Sequence, residues 1–159
     1  MAQESSDTAA RVGILDLFAR YAWAFDCGDA DAYAETFTVD AVLADFPHLR
    51  VEGRTEIRAA IAKMMTRRGV NGWQHRNDNL RMKRDGESYV IHSYWNLILM
   101  EPRPEGDVAA TGAMPNFRFS IPSMGYYVSR CVQVGGEWLF SERTSYRGKS
   151  EGLPWKRPG

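Results

Sequence analysis

The sequence predicts an α+β domain in which a curved antiparallel sheet wraps one face around three N-terminal helices. Three observations lead there. Segments with helical spacing of apolar residues fill the first 70 or so positions, four long aromatic-rich and β-branched stretches follow Gly72, and Asp85-Gly86 and Gly135-Gly136 join those stretches with hairpin turns. A sheet wrapped around helices leaves a cavity between its layers, and that is where a ligand is expected.

The first helix is predicted from about Ser6 to Asp26, with Ser5, Ser6 or Asp7 as its N-cap. Ile14, Leu15, Phe18, Ala22 and Phe25 follow the three-and-four spacing of one buried face. At about 100° per residue, Asp26 falls within about 20° of Leu15, so its carboxylate is expected on the buried side. Gly28 stops this helix, and Asp29 caps a second, shorter one carrying Tyr33 and Phe37. Thr38–Phe46 is the first strand. After a turn near Pro47 and His48 the chain passes through VEG into a third helix, with Thr55 as N-cap and Ile57, Ala60, Ile61 and Met64 as its apolar stripe. The stretches WQHRNDNLRMKRD, DGESYVIHSYWNLILM, FRFSIPSMGYYVSRCVQV and EWLFSERTSYR supply four consecutive antiparallel strands. Glu101–Pro115, rich in Pro, Gly and Ala, is expected to be a mobile loop, and 148–159 a loose tail whose Leu153 and Trp155 pack over the cavity mouth or a neighbour.

The chain of 159 residues, 44% hydrophobic, suits a single domain over 1–159 with its core at about 8–147. Twenty basic residues balance twenty acidic ones without long like-charged runs, which argues against nucleic acid or an anionic membrane as partner. No signal-peptide pattern opens the chain and no apolar stretch spans a bilayer, so a cytoplasmic protein is expected. Cys27 and Cys131 have neither metal-knuckle nor redox spacing and read as reduced thiols.

Two residues stand out for chemistry. Asp26 is a carboxylate on an apolar face, where lost hydration or a bound donor alters its proton affinity; its plain alternative is a helix-end Asp that bends to water. His75 opens a strand in which Trp73, His75, Asn77 and Asn79 share one face by the two-residue period, a setting suited to a wet pocket, although a satisfied structural histidine is the alternative. His92 and His48 read as structural. No two histidines have helical HxxxH spacing, so no metal is expected. Tyr21, five residues before Asp26, and Arg147, closing the last strand, are donors suited to developing negative charge. Tyr94, Trp95, Tyr126 and Tyr127 divide between cavity lining and core. No nucleophile elbow, phosphate loop or dinucleotide glycine pattern occurs, which leaves proton transfer without a cofactor.

Tyr-x-x-x-x-Asp-x-Gly-Asp from Tyr21, Phe-Thr-x-Asp-Ala-Val from Phe37, Gly-Arg-x-x-Ile from Gly53 and Trp-x-His-x-x-x-Asn from Trp73 together resemble a SnoaL-like domain of the nuclear transport factor two-like superfamily. The resemblance covers residues 8 to 147 and implies a cone-shaped α+β barrel. It is similar in particular to scytalone dehydratase and bile acid 7α-dehydratase, where a His near the cavity centre takes a proton and an Asp on the first helix orients it. It therefore implies His75 as base, Asp26 as its partner, and Tyr21 and Arg147 as helpers in catalysis. Asn96 stands where the bile acid enzyme has a second acid, and Asn79, Asn96, Trp73 and Tyr127 are the expected substrate contacts. The implied activity is a cofactor-independent dehydratase-type lyase, or a related isomerase or polyketide cyclase, on a small hydrophobic, polycyclic substrate. The alternative is a non-catalytic binding or assembly subunit, like the small subunits of ring-hydroxylating dioxygenases. A homodimer or homotrimer is expected, paired through an outer face on which Trp95, Leu97 and Leu99 alternate.

Overall fold

Helix α1 (Ala2–Asp26) is 25 residues long in the computed structural model, which describes residues 2–46, 48–68, 72–102 and 117–147. It starts ahead of the predicted cap: Asp7 lies inside it and accepts hydrogen bonds from the Tyr89 hydroxyl at 2.6 Å and from Arg84 at 3.2 Å. Ala10, Ile14, Leu17, Phe18, Tyr21 and Ala22 form its buried face. Leu15, assigned to that face from sequence, is 48% exposed.

Gly28 takes a positive φ of 75° to end the helix, and the Asp29 side chain caps α2 (Ala30–Glu35) by accepting from the Ala32 N–H at 2.9 Å. Tyr33 belongs to α2, but Phe37 opens β1 (Phe37–Phe46) rather than continuing the helix. The passage through VEG is a strand, β2 (Leu49–Glu52), paired antiparallel with β1, and its Leu-Arg-Val-Glu alternation is matched by alternating burial. Gly53, at φ 87°, turns the chain into α3 (Arg54–Arg68), so Thr55 sits within the first turn and not at the cap. Arg54 instead ties α3 to β1 by donating from Nε to the Phe37 carbonyl at 2.8 Å. Ile57, Ile61 and Met65 are the buried stripe of α3.

Four long strands follow: β3 (Trp73–Asp85), β4 (Ser88–Pro102), β5 (Phe117–Val134) and β6 (Glu137–Arg147). Gly86 (φ 62°) makes the first hairpin turn, and Gly135 and Gly136 (φ 59° and 91°) the last. The sheet order is β2-β1-β6-β5-β4-β3. The four consecutive strands β3 to β6 pair antiparallel as expected, and β1 joins them in parallel to β6, with Leu43 opposite Arg143 and Asp45 opposite Ser145. The result is a mixed, unclosed sheet with β2 and β3 at its edges.

Register shifts bend it. On β3 the pairing slips between Asp78 and Arg81, on β5 between Ser120 and Ser123, and at the β5–β6 pair next to Cys131. Pro122 falls inside the second slip, the position in a sheet where a residue without an N–H is tolerated. The concave face closes over α1, with Phe18 edge-on to Phe140 at 5.2 Å between ring centres and Phe37 against Phe140 at 5.4 Å. Trp95 and Leu97 point into this concave side and are buried, so the outward apolar row expected from β4 does not exist as drawn. β4 reaches Pro102; the rest of the expected loop, Pro47 and the tail from Gly148 lie outside the described residues. Among the described residues no helix is long and apolar enough to cross a membrane.

Candidate active site

The last residue of α1 and the third of β3 meet. The Asp26 carboxylate uses both oxygens on His75: Oδ2 accepts from the backbone N–H at 2.9 Å, and Oδ1 lies 2.5 Å from the ring Nδ1. The two side chains are 15% and 14% exposed. One bond fixes where the strand passes the helix, the other fixes the ring. Asp26 reaches this place from the flank of α1. On the helical wheel Asp26 lies near Leu15, at the edge of the buried stripe, and that edge runs beside β3. The Phe25 ring packs on the imidazole at 4.5 Å between centres. A carboxylate on Nδ1 leaves the hydrogen on that nitrogen and Nε2 as the acceptor, and among the described residues no hydrogen bond engages Nε2.

His75 borders a cavity of about 80 Å³ that opens to the surface. Tyr21 and Phe25 line it from α1, Tyr33 from α2, Ile61 and Met64 from α3, and Trp95, Leu97 and Tyr127 from the sheet. Its chemistry is mostly apolar with phenols at one end. The Tyr33 hydroxyl donates to that of Tyr21 at 3.0 Å, which leaves the Tyr21 proton for another acceptor. Burial, reinforced by the neighbouring Tyr21, pushes the phenols of Tyr33 and Tyr127 well above the usual tyrosine range, so both stay protonated at neutral pH. Trp95 lies 5.6 Å from Tyr127 between ring centres, and its indole N–H is buried without a partner among the described residues.

Arg147 stands at the mouth, bidentate on Asp45 with Nε to Oδ1 at 3.0 Å and Nη2 to Oδ2 at 2.6 Å. The hydrogen bond to Asp45 holds its guanidinium above the usual range against partial burial. Parallel pairing of β1 with β6 is what sets these two residues side by side.

Of the residues singled out from sequence, Tyr21, His75, Tyr127 and Arg147 line this cavity, with Asp26 behind His75. Three do not. Asn79 adopts φ 53° at the β3 slip, where two residues on β3 oppose one on β4; the alternation reverses there, so Asn79 is exposed while Leu80 and Met82 turn inward. Asn96 lies on the convex face of β4 and donates to Asp78 at 3.3 Å. Trp73 packs against the Trp95, Leu97 and Tyr127 cluster and lines a second cleft of about 450 Å³ with Trp23 and Cys27, which Asp26 and His75 also border. His48 is exposed in its turn, and His92 lies outside the cavity, where burial and Arg81 lower its proton affinity. Among the described residues no cluster of three His, Cys, Asp or Glu gathers to hold a metal.

Sequence reasoning missed Tyr33, Asp45, Ser145 and, above all, Arg143, which is completely buried. The signal existed: once Arg147 faces inward, the period of two puts Ser145 and Arg143 on the same face of β6.

The profile of the SnoaL-like domain matches residues 6–144. No curated protein matches the chain in sequence. Solved structures share its fold, among them the following. An NTF2-like protein with a cystatin-like fold from Novosphingobium aromaticivorans is 17% identical, with TM-score 0.72 over 95% of this chain and 90% of that one. A protein from the same organism, provisionally named a scytalone dehydratase, is 18% identical, with TM-score 0.70 over 92% and 89%. ActVI-ORFA from Streptomyces coelicolor is 21% identical, with TM-score 0.67 over 88% and 96%.

Proposed function

This chain belongs to the SnoaL-like domain family, and from that premise we propose that it is a cofactor-independent proton-transfer enzyme, a dehydratase-type lyase or a closely related isomerase or cyclase, acting on a small hydrophobic substrate. The observation that carries the proposal is His75 held through Nδ1 by Asp26 at 2.5 Å while it borders a largely apolar cavity. In this reading Nε2 takes a proton from carbon next to a carbonyl. The C–H electron pair moves toward the carbonyl oxygen, and the Tyr21 hydroxyl, already accepting from Tyr33, donates to that oxygen as charge develops. Asp26 steadies the imidazolium so formed.

The imidazolium then gives its proton to a departing hydroxyl. Electrons return from oxygen to form the carbon–carbon double bond and water leaves. An isomerase differs in returning the proton to another carbon. Arg147, committed to Asp45, serves substrate binding at the mouth and not proton transfer.

The substrate class is tested by incubating the protein in D₂O with a panel of hydrophobic cyclic β-hydroxyketones and following deuterium uptake and loss of water by NMR. Turnover is expected with at least one member, and His75→Gln should lower it by about 10²- to 10⁴-fold while ligand binding persists. Full activity in that variant removes His75 as the base. The competing reading, a non-catalytic binding or assembly module, is favoured by the small volume of the cavity; it requires binding without turnover by the wild-type protein.

A further inference from the structure

Arg143 is a charge that the fold does not explain. Its side chain is wholly buried, its Nη1 donates to Ser129 Oγ at 2.9 Å and its Nη2 to Asn77 Oδ1 at 3.2 Å, and its Nε has no partner among the described residues. The guanidinium carbon stands 3.7 Å from the ring centre of Tyr127 and 4.0 Å from that of Tyr21, with Phe140 and Phe18 at 4.6 and 4.7 Å. No carboxylate among the described residues pairs with it. Arginine cannot discard its charge in a protein, and a buried ion without a counter-ion is usually less favourable to folding than an apolar side chain of the same size.

The charged and titratable groups around it make a pattern. Asp45 on β1 is paired with Arg147 on β6, and Asp26 on α1 with His75 on β3. Tyr21 on α1, Tyr33 on α2 and Tyr127 on β5 present phenols, and Arg143 opposes the rise that burial imposes on the Tyr33 and Tyr127 hydroxyls. His75 and Asn77 are two residues apart on one face of β3, about 7 Å along the strand. One of them bonds the carboxylate and the other the guanidinium. The site thus carries a negative end and a positive end, and the positive end meets phenols where a carboxylate would ordinarily stand.

We infer that Arg143 is a positioning residue whose charge, acting through the faces of Tyr21 and Tyr127, makes the phenol end of the cavity a binding site for an anionic oxygen, a phenolate or an enolate. For the enolate this rests on the proton-transfer reading: when a carbon proton passes to His75, the imidazolium lies against Asp26 and the new oxyanion against the phenols backed by Arg143, so both new charges face opposite ones. For the phenolate it stands without that reading.

The probe is 4-nitrophenol, whose visible absorbance reports its ionisation, titrated into the wild type and into Arg143→Met, Arg143→Lys and Arg143→Gln. The wild type should bind the phenolate in preference to the phenol and lower the pH at which the bound probe ionises by about one unit, tenfold in its ionisation constant. Arg143→Lys should keep most of that shift, and Arg143→Met should lose it with an unchanged circular dichroism spectrum. Equal ionisation of the bound probe in the wild type and Arg143→Met overturns the inference. So does wild-type binding of the neutral phenol alone. If Arg143→Met does not fold, Arg143→Gln, which removes the charge and keeps a polar amide, decides, and a wild-type shift in it is equally fatal. Loss of this preference with turnover still dependent on His75 retires the oxyanion site alone; an intact preference with turnover indifferent to His75 retires the base alone.

Discussion

Replacing Asp26 by Asn should reverse the tautomer of His75. The carboxylate serves two donors on one residue, the backbone N–H at 2.9 Å and Nδ1 at 2.5 Å. An amide has a single acceptor oxygen and so satisfies one of them. A part-buried backbone N–H has no alternative form, whereas the ring can move its hydrogen from Nδ1 to Nε2, so the amide oxygen stays with the backbone and its NH₂ donates to Nδ1. Nε2 then carries a hydrogen and cannot accept one. Two bonds to a charged acceptor, each worth about 1.5–3 kcal/mol, become neutral ones worth about 0.5–1.5 kcal/mol, so folding should weaken by about 2 kcal/mol. Long-range ¹H–¹⁵N correlation spectra taken near pH 8, with the His75 signals identified by their loss in His75→Gln, read the tautomer without a substrate, and urea unfolding reads the stability. A wild-type ring protonated on Nε2, or one tautomer shared by both proteins, would refute the geometry on which the proposed chemistry rests.

Asn79→Val should cost about 1–3 kcal/mol in urea unfolding, since a β-branched residue is strained at the φ of 53° that the slip requires, while Asn79→Gly should be tolerated. Cys131 is buried, and desolvation pushes its thiol up to about 12 from 9.0, so iodoacetamide at pH 8.5 should label the exposed Cys27 alone, as mass spectrometry will count. The same shift has a sign for stability. The folded state holds the Cys131 proton more tightly than the unfolded chain, so the stabilisation is full below pH 9 and is lost as pH rises from 9 toward 12, visible as a falling urea midpoint across that window.

Local chemistry made much of this fold readable. Gly28 followed by Asp29 announces a helix stop and a new cap, and paired glycines announce the last hairpin, because each depends on a backbone angle or a donor within a few residues. The parallel pairing of β1 with β6 was not readable, since it joins residues about a hundred positions apart and leaves no local mark. That pairing brings Asp45 to Arg147. Asp26 meets β3 from the edge of its helix: Leu15 marks the rim of the helical stripe and not its centre, and the carboxylate turns inward because β3 runs along that rim. Asn79 was misassigned because a strict period of two cannot foresee a slip of one residue. Arg143 was overlooked because charged residues in strands are ordinarily given to solvent.

That slip divides β3 into two stretches with independent duties. In the first, His75 borders the cavity and Asn77 accepts from Arg143 on one odd-numbered face, while in the second Leu80 and Met82 present even-numbered side chains to the helix core. Selection or design can therefore revise what the first stretch recognises without disturbing what the second one stabilises, whereas deleting one residue at the junction would force the two halves to exchange inside for outside. A lineage that diversifies its substrates on this scaffold should keep His75 and Asn77, vary the residues between and before them, and scarcely tolerate a change of length at the junction.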